Sequence, residues 1–107
     1  MRTHPGGQGT AASTAPATCQ VFGLQPRTDQ YAVAATVTNT NGVASTYRLT
    51  YELFGPDGAS LGTDFSVVSA VAPRTTVRDD AIGYLSDPVP WDQVACTVIE
   101  VLRIDAL

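Results

Sequence analysis

Two cysteines, one histidine and two adjacent aspartates are the residues of this sequence whose types could support chemistry. They are Cys19, Cys96, His4, Asp79 and Asp80. A Ser/His/Asp hydrolase needs a histidine that the fold holds beside the nucleophile, but His4 lies in a Gly- and Pro-rich N-terminal stretch. Adjacent residues of a strand point to opposite faces, so Asp79 and Asp80 could not serve one substrate as acid and base. We therefore expect a non-enzymatic protein, with this pair on a solvated sheet edge.

The same residue types give weak grounds for a metal site or a cofactor. The two cysteines are far apart in the sequence, whereas metal ligands usually come in tight local groups. Calcium accepts oxygen ligands in flexible geometry, but the aspartates do not follow the spacing of a known calcium loop. We expect no cofactor, and a small-ligand or calcium-binding domain remains the alternative function. The aspartates concerned are Asp57, Asp64, Asp79 and Asp80.

Cys19 and Cys96 each open an apolar run of β type, one near each end of the domain. This placement favours a disulfide that joins the first and last strands. The alternative is a pair of unpaired buried thiols, which proteins tolerate because Cys behaves as a small apolar residue. If the bond exists, the protein has passed through an oxidising compartment.

Length and charge limit the classes of partner. The 107 residues suffice for one domain. The formal net charge is −4, and all six positive residues are arginines scattered singly along the chain. Binding to nucleic acid or to an anionic membrane surface is therefore not expected, because both require a concentrated basic face. The chain also lacks the run of about 20 apolar residues that a membrane-spanning helix needs.

The positions of the strands can be predicted from short runs of Val, Ile, Thr, Tyr and Phe that alternate with turn residues. These runs predict an antiparallel two-sheet sandwich of roughly six or seven strands. The run at 60–71 contains Gly62, which indicates a bulge or bend, so it could form one strand or two. Residues 1–17 have linker composition, and we expect them to be mobile and to add nothing to stability. The predicted runs are 18–24, 31–39, 46–54, 60–71, 75–82 and 94–104.

Alternation within the second and third runs predicts which side chains form the core, because one face of each strand must be buried. The stretch 55–58, Gly-Pro-Asp-Gly, predicts a hairpin turn between the third and fourth runs. The predicted core residues are Val33, Val37, Tyr47, Leu49, Tyr51 and Leu53.

Tyr84 and Trp91 are the candidate partner-binding residues, because amphipathic aromatic side chains near a proline-braced loop are common interface anchors. The alternative, which the adjacent last strand favours, is that Trp91 plugs the end of the sandwich.

Five groups of residues together carry a resemblance to a known family. They are Val33 with Val37-Thr38-Asn39, Tyr51-Glu52-Leu53-Phe54-Gly55, Asp57-Gly58, Leu61-Gly62-Thr63 and Val71-Ala72-Pro73. These segments resemble the FxLYD-type immunoglobulin-like domain of bacterial surface proteins and lipoproteins, particularly those of actinobacteria, and the likeness covers roughly residues 18–105. In the naming motif the two aromatic residues are exchanged and the Asp is replaced by Gly. Arg74 stands where the family usually has Gly.

The resemblance implies an immunoglobulin-like domain over residues 18–107 that works outside the cytoplasm. Actinobacterial members often open their first and last strands with Cys, which implies a Cys19–Cys96 disulfide. The family has no established enzymatic activity, so the expected role is an interaction or spacer module of a secreted or cell-envelope protein. The expected partner is a protein.

Overall fold

The computed structural model describes residues 9–24, 30–84 and 90–105, and within them seven strands form two antiparallel sheets that pack as a sandwich. Sheet A has the strand order β1-β7-β4-β5, and sheet B has the order β2-β3-β6. The predicted antiparallel sandwich is confirmed. The strands are β1 (Gly9–Ala12), β2 (Ala17–Gly23), β3 (Gln30–Thr38), β4 (Ser45–Phe54), β5 (Ser60–Val71), β6 (Thr76–Tyr84) and β7 (Ala95–Asp105).

The core lies between β3 and β4, whose alternating faces meet across the sandwich. Val33 and Val37 are fully buried on β3, and the alternate residues from Tyr47 to Leu53 are buried on β4. The residues between them, such as Arg48, face outward. All six predicted core residues are therefore buried, and the predicted register of both strands is confirmed.

The hairpin between β4 and β5 forms at the predicted Gly-Pro-Asp-Gly turn. Gly58 has a φ of 82°, which an L side chain rarely adopts, and its N–H donates to the carbonyl of Gly55. The run from Ser60 to Val71 is one strand, and it bulges where its register against β4 shifts near Gly62. β7 has a bulge opposite Thr50, so Val98 and Val101, which differ in parity, both pair with residues of β4 that face the core.

The Cys19–Cys96 disulfide is present and joins the two sheets. Cys19 lies on β2 in sheet B and Cys96 on β7 in sheet A, with their Cα atoms 5.7 Å apart. The bond therefore crosses between sheets and does not link neighbours within one sheet.

The prediction that residues 1–17 form a linker is wrong for the part that the structure describes. Gly9–Ala12 pairs with the end of β7, and Ala15 is buried in the core. The chain then changes sheets, with the N–H of Thr38 donating to the carbonyl of Pro16. The residues of Gly9–Ala12 have little intrinsic preference for a strand, so their sequence gave almost no signal. The segment becomes a strand because it pairs with β7. Residues 1–8 lie outside the described part.

Deletion of residues 1–17 is therefore expected to destabilise the domain. The deletion removes the β1–β7 ladder and exposes the core surface beneath Ala15, which we expect to cost about 2 kcal/mol or more. Thermal unfolding of the shortened chain measures the loss. A point variant, Ala15→Asp, tests the buried contact alone, and an unchanged melting temperature in both proteins would contradict the assignment of this segment to the fold.

Candidate functional site

The outer face of sheet B carries a row of apolar side chains that the sandwich does not cover. The register of the sheet aligns Phe22 of β2, Ala32 of β3 and Ile82 of β6 across the three strands. Tyr84 lies next to this row on β6, opposite Gln30. Because neighbouring strands lie about 4.8 Å apart, the side chains of Phe22, Ala32, Ile82 and Tyr84 form one continuous surface. This surface, with all four residues, is here called the apolar row.

The large side chains of the apolar row are well exposed. Phe22 is 45% exposed, Ile82 62% and Tyr84 63%. Because the Ala32 side chain is small, the surface is recessed between Phe22 and Ile82. The Gln30 amide donates to the Tyr84 hydroxyl at 3.0 Å, which holds the ring at the end of the sheet. The row is thus a shallow apolar surface with one polar edge.

The other end of the same face is polar. Thr18 and Thr36 share a hydrogen bond between their hydroxyls across β2 and β3, and Thr38 and Thr76 do so across β3 and β6. Between this end and the apolar row, the Arg78 guanidinium and the Asp80 carboxylate form an ion pair of 2.8 Å. An apolar centre beside polar residues is the usual composition of a protein-binding surface.

The two sequence-predicted site residues lie in different environments. Tyr84 lies on the exposed face, as its candidate role requires. Trp91 is only 8% exposed and packs against Tyr31 with ring centroids 4.9 Å apart. It also fills the space above Gly23, where any Cβ would lie 2.7 Å from the indole. Trp91 therefore closes the end of the sandwich, and its buried side chain is not part of the candidate binding surface. The residues 85–89 before it lie outside the described part.

Phe22 and Ile82 were missed as site residues, although a signal for them exists. On the outward face of its strand, each follows a polar residue: Phe22 comes after Gln20 on β2, and Ile82 comes after Asp80 on β6. An apolar residue on the solvent side of a strand is uninformative when single. The two become a surface only when β3 brings them into one row.

The outer face of sheet A also exposes apolar side chains, but part of this surface is already occupied. Phe65 and Val67 of β5 are both about half exposed. The Arg48 guanidinium lies 4.5 Å from the centroid of the Phe65 ring, which is a cation–π contact. Arg48 therefore covers one face of that ring and places a positive charge within this apolar surface.

Two buried tyrosines face carboxylates where the sheets open between β5 and β6. Burial raises the pKa of Tyr31, and the charge of Asp64 raises it further. Burial also raises the pKa of Tyr51, its hydrogen bond with the Ser66 hydroxyl lowers it, and the charges of Asp64 and Asp79 raise it. Both hydroxyls are therefore held neutral well into the alkaline range.

These pKa shifts predict loss of stability in alkali. The folded pKa lies above the ordinary value near 10, so the stabilisation is complete below that value and is lost as the pH rises through the folded values. Urea unfolding between pH 8 and about pH 11 should show this fall in the free energy of unfolding. Tyr31→Phe should make the fall shallower, whereas Tyr84→Phe, an exposed control, should not. Identical slopes in all three proteins would contradict the prediction.

The remaining candidate chemistry has little geometric support in the residues described. Among them, no group of three or more His, Cys, Asp or Glu side chains could hold a metal ion. Asp79 and Asp80 lie on opposite faces of β6, as expected for neighbours on a strand, and His4 lies outside the described part. None of the described segments is a helix long and apolar enough to cross a membrane.

No protein-family model, curated protein or solved structure matches this chain.

Proposed function

We propose that this chain is a non-catalytic interaction module of the FxLYD type that binds a protein partner through the apolar row of sheet B. The observation that carries the proposal is the alignment of exposed Phe22, Ile82 and Tyr84 around the small Ala32. A folded domain gains nothing from holding large apolar side chains in water, and contiguous exposed patches mark interaction sites. Burial of such a side chain contributes about 1.5–3 kcal/mol.

The module works outside the cytoplasm, in a secreted or cell-envelope protein. Support comes from the Cys19–Cys96 disulfide, since such bonds persist in oxidising compartments. The likeness to envelope-protein domains points the same way. The acidic net charge of −4 also fits a protein partner better than a nucleic acid.

Site-specific photocrosslinking in cells that produce the full-length protein tests this function. A photoreactive residue at position 84 is expected to crosslink one discrete protein, whereas the same residue at position 43, which is also exposed, is not. Phe22→Ser or Ile82→Ser should reduce the crosslink about tenfold, since each removes about 1.4 kcal/mol or more of burial.

Val67→Ser is the matched control, because it removes an exposed β-branched side chain from the outer face of sheet A. The crosslink at position 84 should persist in that variant. If positions 84 and 43 give the same crosslinks, or neither gives any, the proposal fails and the module acts as a spacer.

A further inference from the structure

The free side of β6 is a regular, unpaired strand edge. Thr76–Tyr84 pairs with β3 at every position without a register shift. Its other side carries no hydrogen-bonded neighbour among the described strands. Roughly half of the N–H and C=O groups of such a strand point away from its partner, and they form a template on which another strand can add.

The other three edges of the sandwich are less suited to adding a strand. β5 is interrupted by two register shifts and by Ala70, whose φ is 53°. β1 is four residues long. β2 packs along β7 and is tied to it by the disulfide. Bulges, short length, covering elements and charged residues are the usual ways in which proteins protect edges. β6 is nine residues long and pairs with β3 without a bulge, so among the described residues its protection comes from the charges of Arg78, Asp79 and Asp80.

Charges on β6 disfavour its pairing with a second copy of the same strand. A two-fold antiparallel arrangement that uses all nine residues places Asp80 opposite Asp80 of the second copy. An arrangement centred one residue nearer the N-terminus of β6 places Asp79 opposite Asp79 of the second copy. Like charges directly opposite each other destabilise a strand pair, so the edge is better matched to a different strand.

The two aspartates can each meet a cation on an added strand. Asp80 uses one carboxylate oxygen for Arg78, which leaves its second oxygen free to accept from a lysine or arginine opposite. Asp79 points to the inner side, where it and Asp64 both act on the Tyr51 hydroxyl. A cation opposite Asp79 therefore enters a negative environment on the inner side of the edge.

We propose that β6 binds an extended basic segment of the partner protein by antiparallel strand addition, with the pattern apolar, any residue, basic, basic. The basic pair lies opposite Asp80 and Asp79, and the apolar residue lies opposite Ile82, where it lengthens the apolar row. This inference rests on the proposed function and names the chemistry of the partner.

A capped, fluorescently labelled peptide, Thr-Thr-Val-Thr-Lys-Lys-Thr-Val, is the probe. Its anisotropy is titrated with the intact protein up to about 1 mM, which covers weak binding. Amide NMR signals of the complex should shift, and their exchange with solvent should slow, along Thr76–Tyr84 and not along β5. Two control peptides carry Glu-Glu in place of Lys-Lys, or Pro in place of the Thr between Val and Lys. Neither should bind, because one reverses the charges and the other disrupts the added ladder.

Charge reversal in the protein tests the register. Asp80→Lys should weaken the Lys-Lys peptide about five- to tenfold and improve the Glu-Glu peptide relative to it, because the cross-strand pair at position 80 changes from attractive to repulsive for lysine while the pair at Asp79 is unchanged. Asp92→Lys makes the same charge change at an exposed site outside sheet B, and should change either affinity less than about twofold.

Several outcomes overturn the strand-addition proposal: no binding of the Lys-Lys peptide, equal binding of the Pro peptide, or equal effects of Asp80→Lys and Asp92→Lys. NMR shifts confined to β2 or β5 would overturn it as well. If the peptide fails while the crosslink at position 84 persists, the proposed function stands and strand addition is wrong. If the crosslink fails while the peptide binds β6, the apolar row is not the partner surface and the edge binds by itself.

Discussion

Reduction of the Cys19–Cys96 disulfide is expected to lower the melting temperature by about 10–25 °C. The two cysteines are 77 positions apart, so the bond closes a long loop in the unfolded chain. The chain-entropy relation gives about 4.5 kcal/mol for such a loop. Small domains have a total stability of about 5–15 kcal/mol, so the bond supplies a large fraction of it.

The position of this bond adds to its expected effect. It joins β2 to β7 and therefore connects sheet B directly to sheet A. Both cysteines are half-buried and pack against the cluster that includes Tyr31 and Trp91. Loss of the bond therefore also releases contacts at the end of the sandwich that Trp91 closes.

Calorimetry with and without reductant measures the effect. The double variant Cys19→Ala, Cys96→Ala should melt at about the temperature of the reduced protein and should not respond to reductant. Mass spectrometry of the non-reduced wild type should show two hydrogens fewer than the reduced chain. Two free thiols in folded, oxidised protein would contradict the bond, and with it the main support for a location outside the cytoplasm.

Asn39→Ala is expected to destabilise the protein by about 3–5 kcal/mol, a fall in melting temperature of about 15 °C or more. The Asn39 side chain is fully buried and its hydrogen-bonding capacity is filled. Its amide donates to the carbonyls of Val43 at 2.9 Å and Val71 at 2.8 Å. Its carbonyl oxygen accepts from the Tyr47 hydroxyl and from the Asn41 N–H, both at 2.8 Å.

The backbone of Asn39 adds a second set of contacts. Its N–H donates to the carbonyl of Thr75, and its carbonyl accepts from the N–H of Arg74, both at 2.9 Å. Asn39 thus connects the end of β3 to the turn before β4 and to the turn before β6. Alanine would leave the buried Tyr47 hydroxyl and the Val71 carbonyl short of a partner, and an unpaired buried polar group costs about 1–3 kcal/mol.

Thr40→Ala is the control for this prediction, because Thr40 is the exposed neighbour of Asn39 and its loss should cost less than about 0.5 kcal/mol. Tyr47→Phe removes one of the four side-chain hydrogen bonds of Asn39 and the one that the Asn41 amide donates to the Tyr47 hydroxyl, and its loss of stability should fall between the two. Chemical denaturation of the three variants gives the comparison. An Asn39→Ala protein as stable as Thr40→Ala would show that these hydrogen bonds contribute little.

The alternating pattern determined the faces of the two central strands. On β3 and β4 most of the large apolar residues occupy one parity, so Val33 and Val37, and every second residue from Tyr47 to Leu53, could be assigned to the core before any partner strand was known. A shift of one residue would expose this entire set, so the register is strongly specified. The Gly-Pro-Asp-Gly turn was equally local, because its residues set their own backbone angles.

The pattern was less informative on β5. There Phe65 and Val67 share a parity with Leu61 and Val71, yet Phe65 and Val67 face solvent while Ser66 and Val68 are buried. The register shifts at both ends of β5 change which side each residue faces. Bulges depend on the partner strand, and so the faces of this strand could not be assigned from its own residues.

The sequence by itself determined the sandwich class and the two central faces, because alternation and turn chemistry are local properties. It favoured the cysteine pair, but the bond also needs β2 and β7 to meet across the sandwich. The tertiary structure alone decided four further features. It made Gly9–Ala12 a strand by pairing it with β7, buried Trp91 against Gly23, made Asn39 at the end of the second predicted run a hydrogen-bonding centre, and aligned Phe22 with Ile82. Each of these depends on contacts between residues far apart in the chain, and such contacts are fixed only when the strands take their order and register.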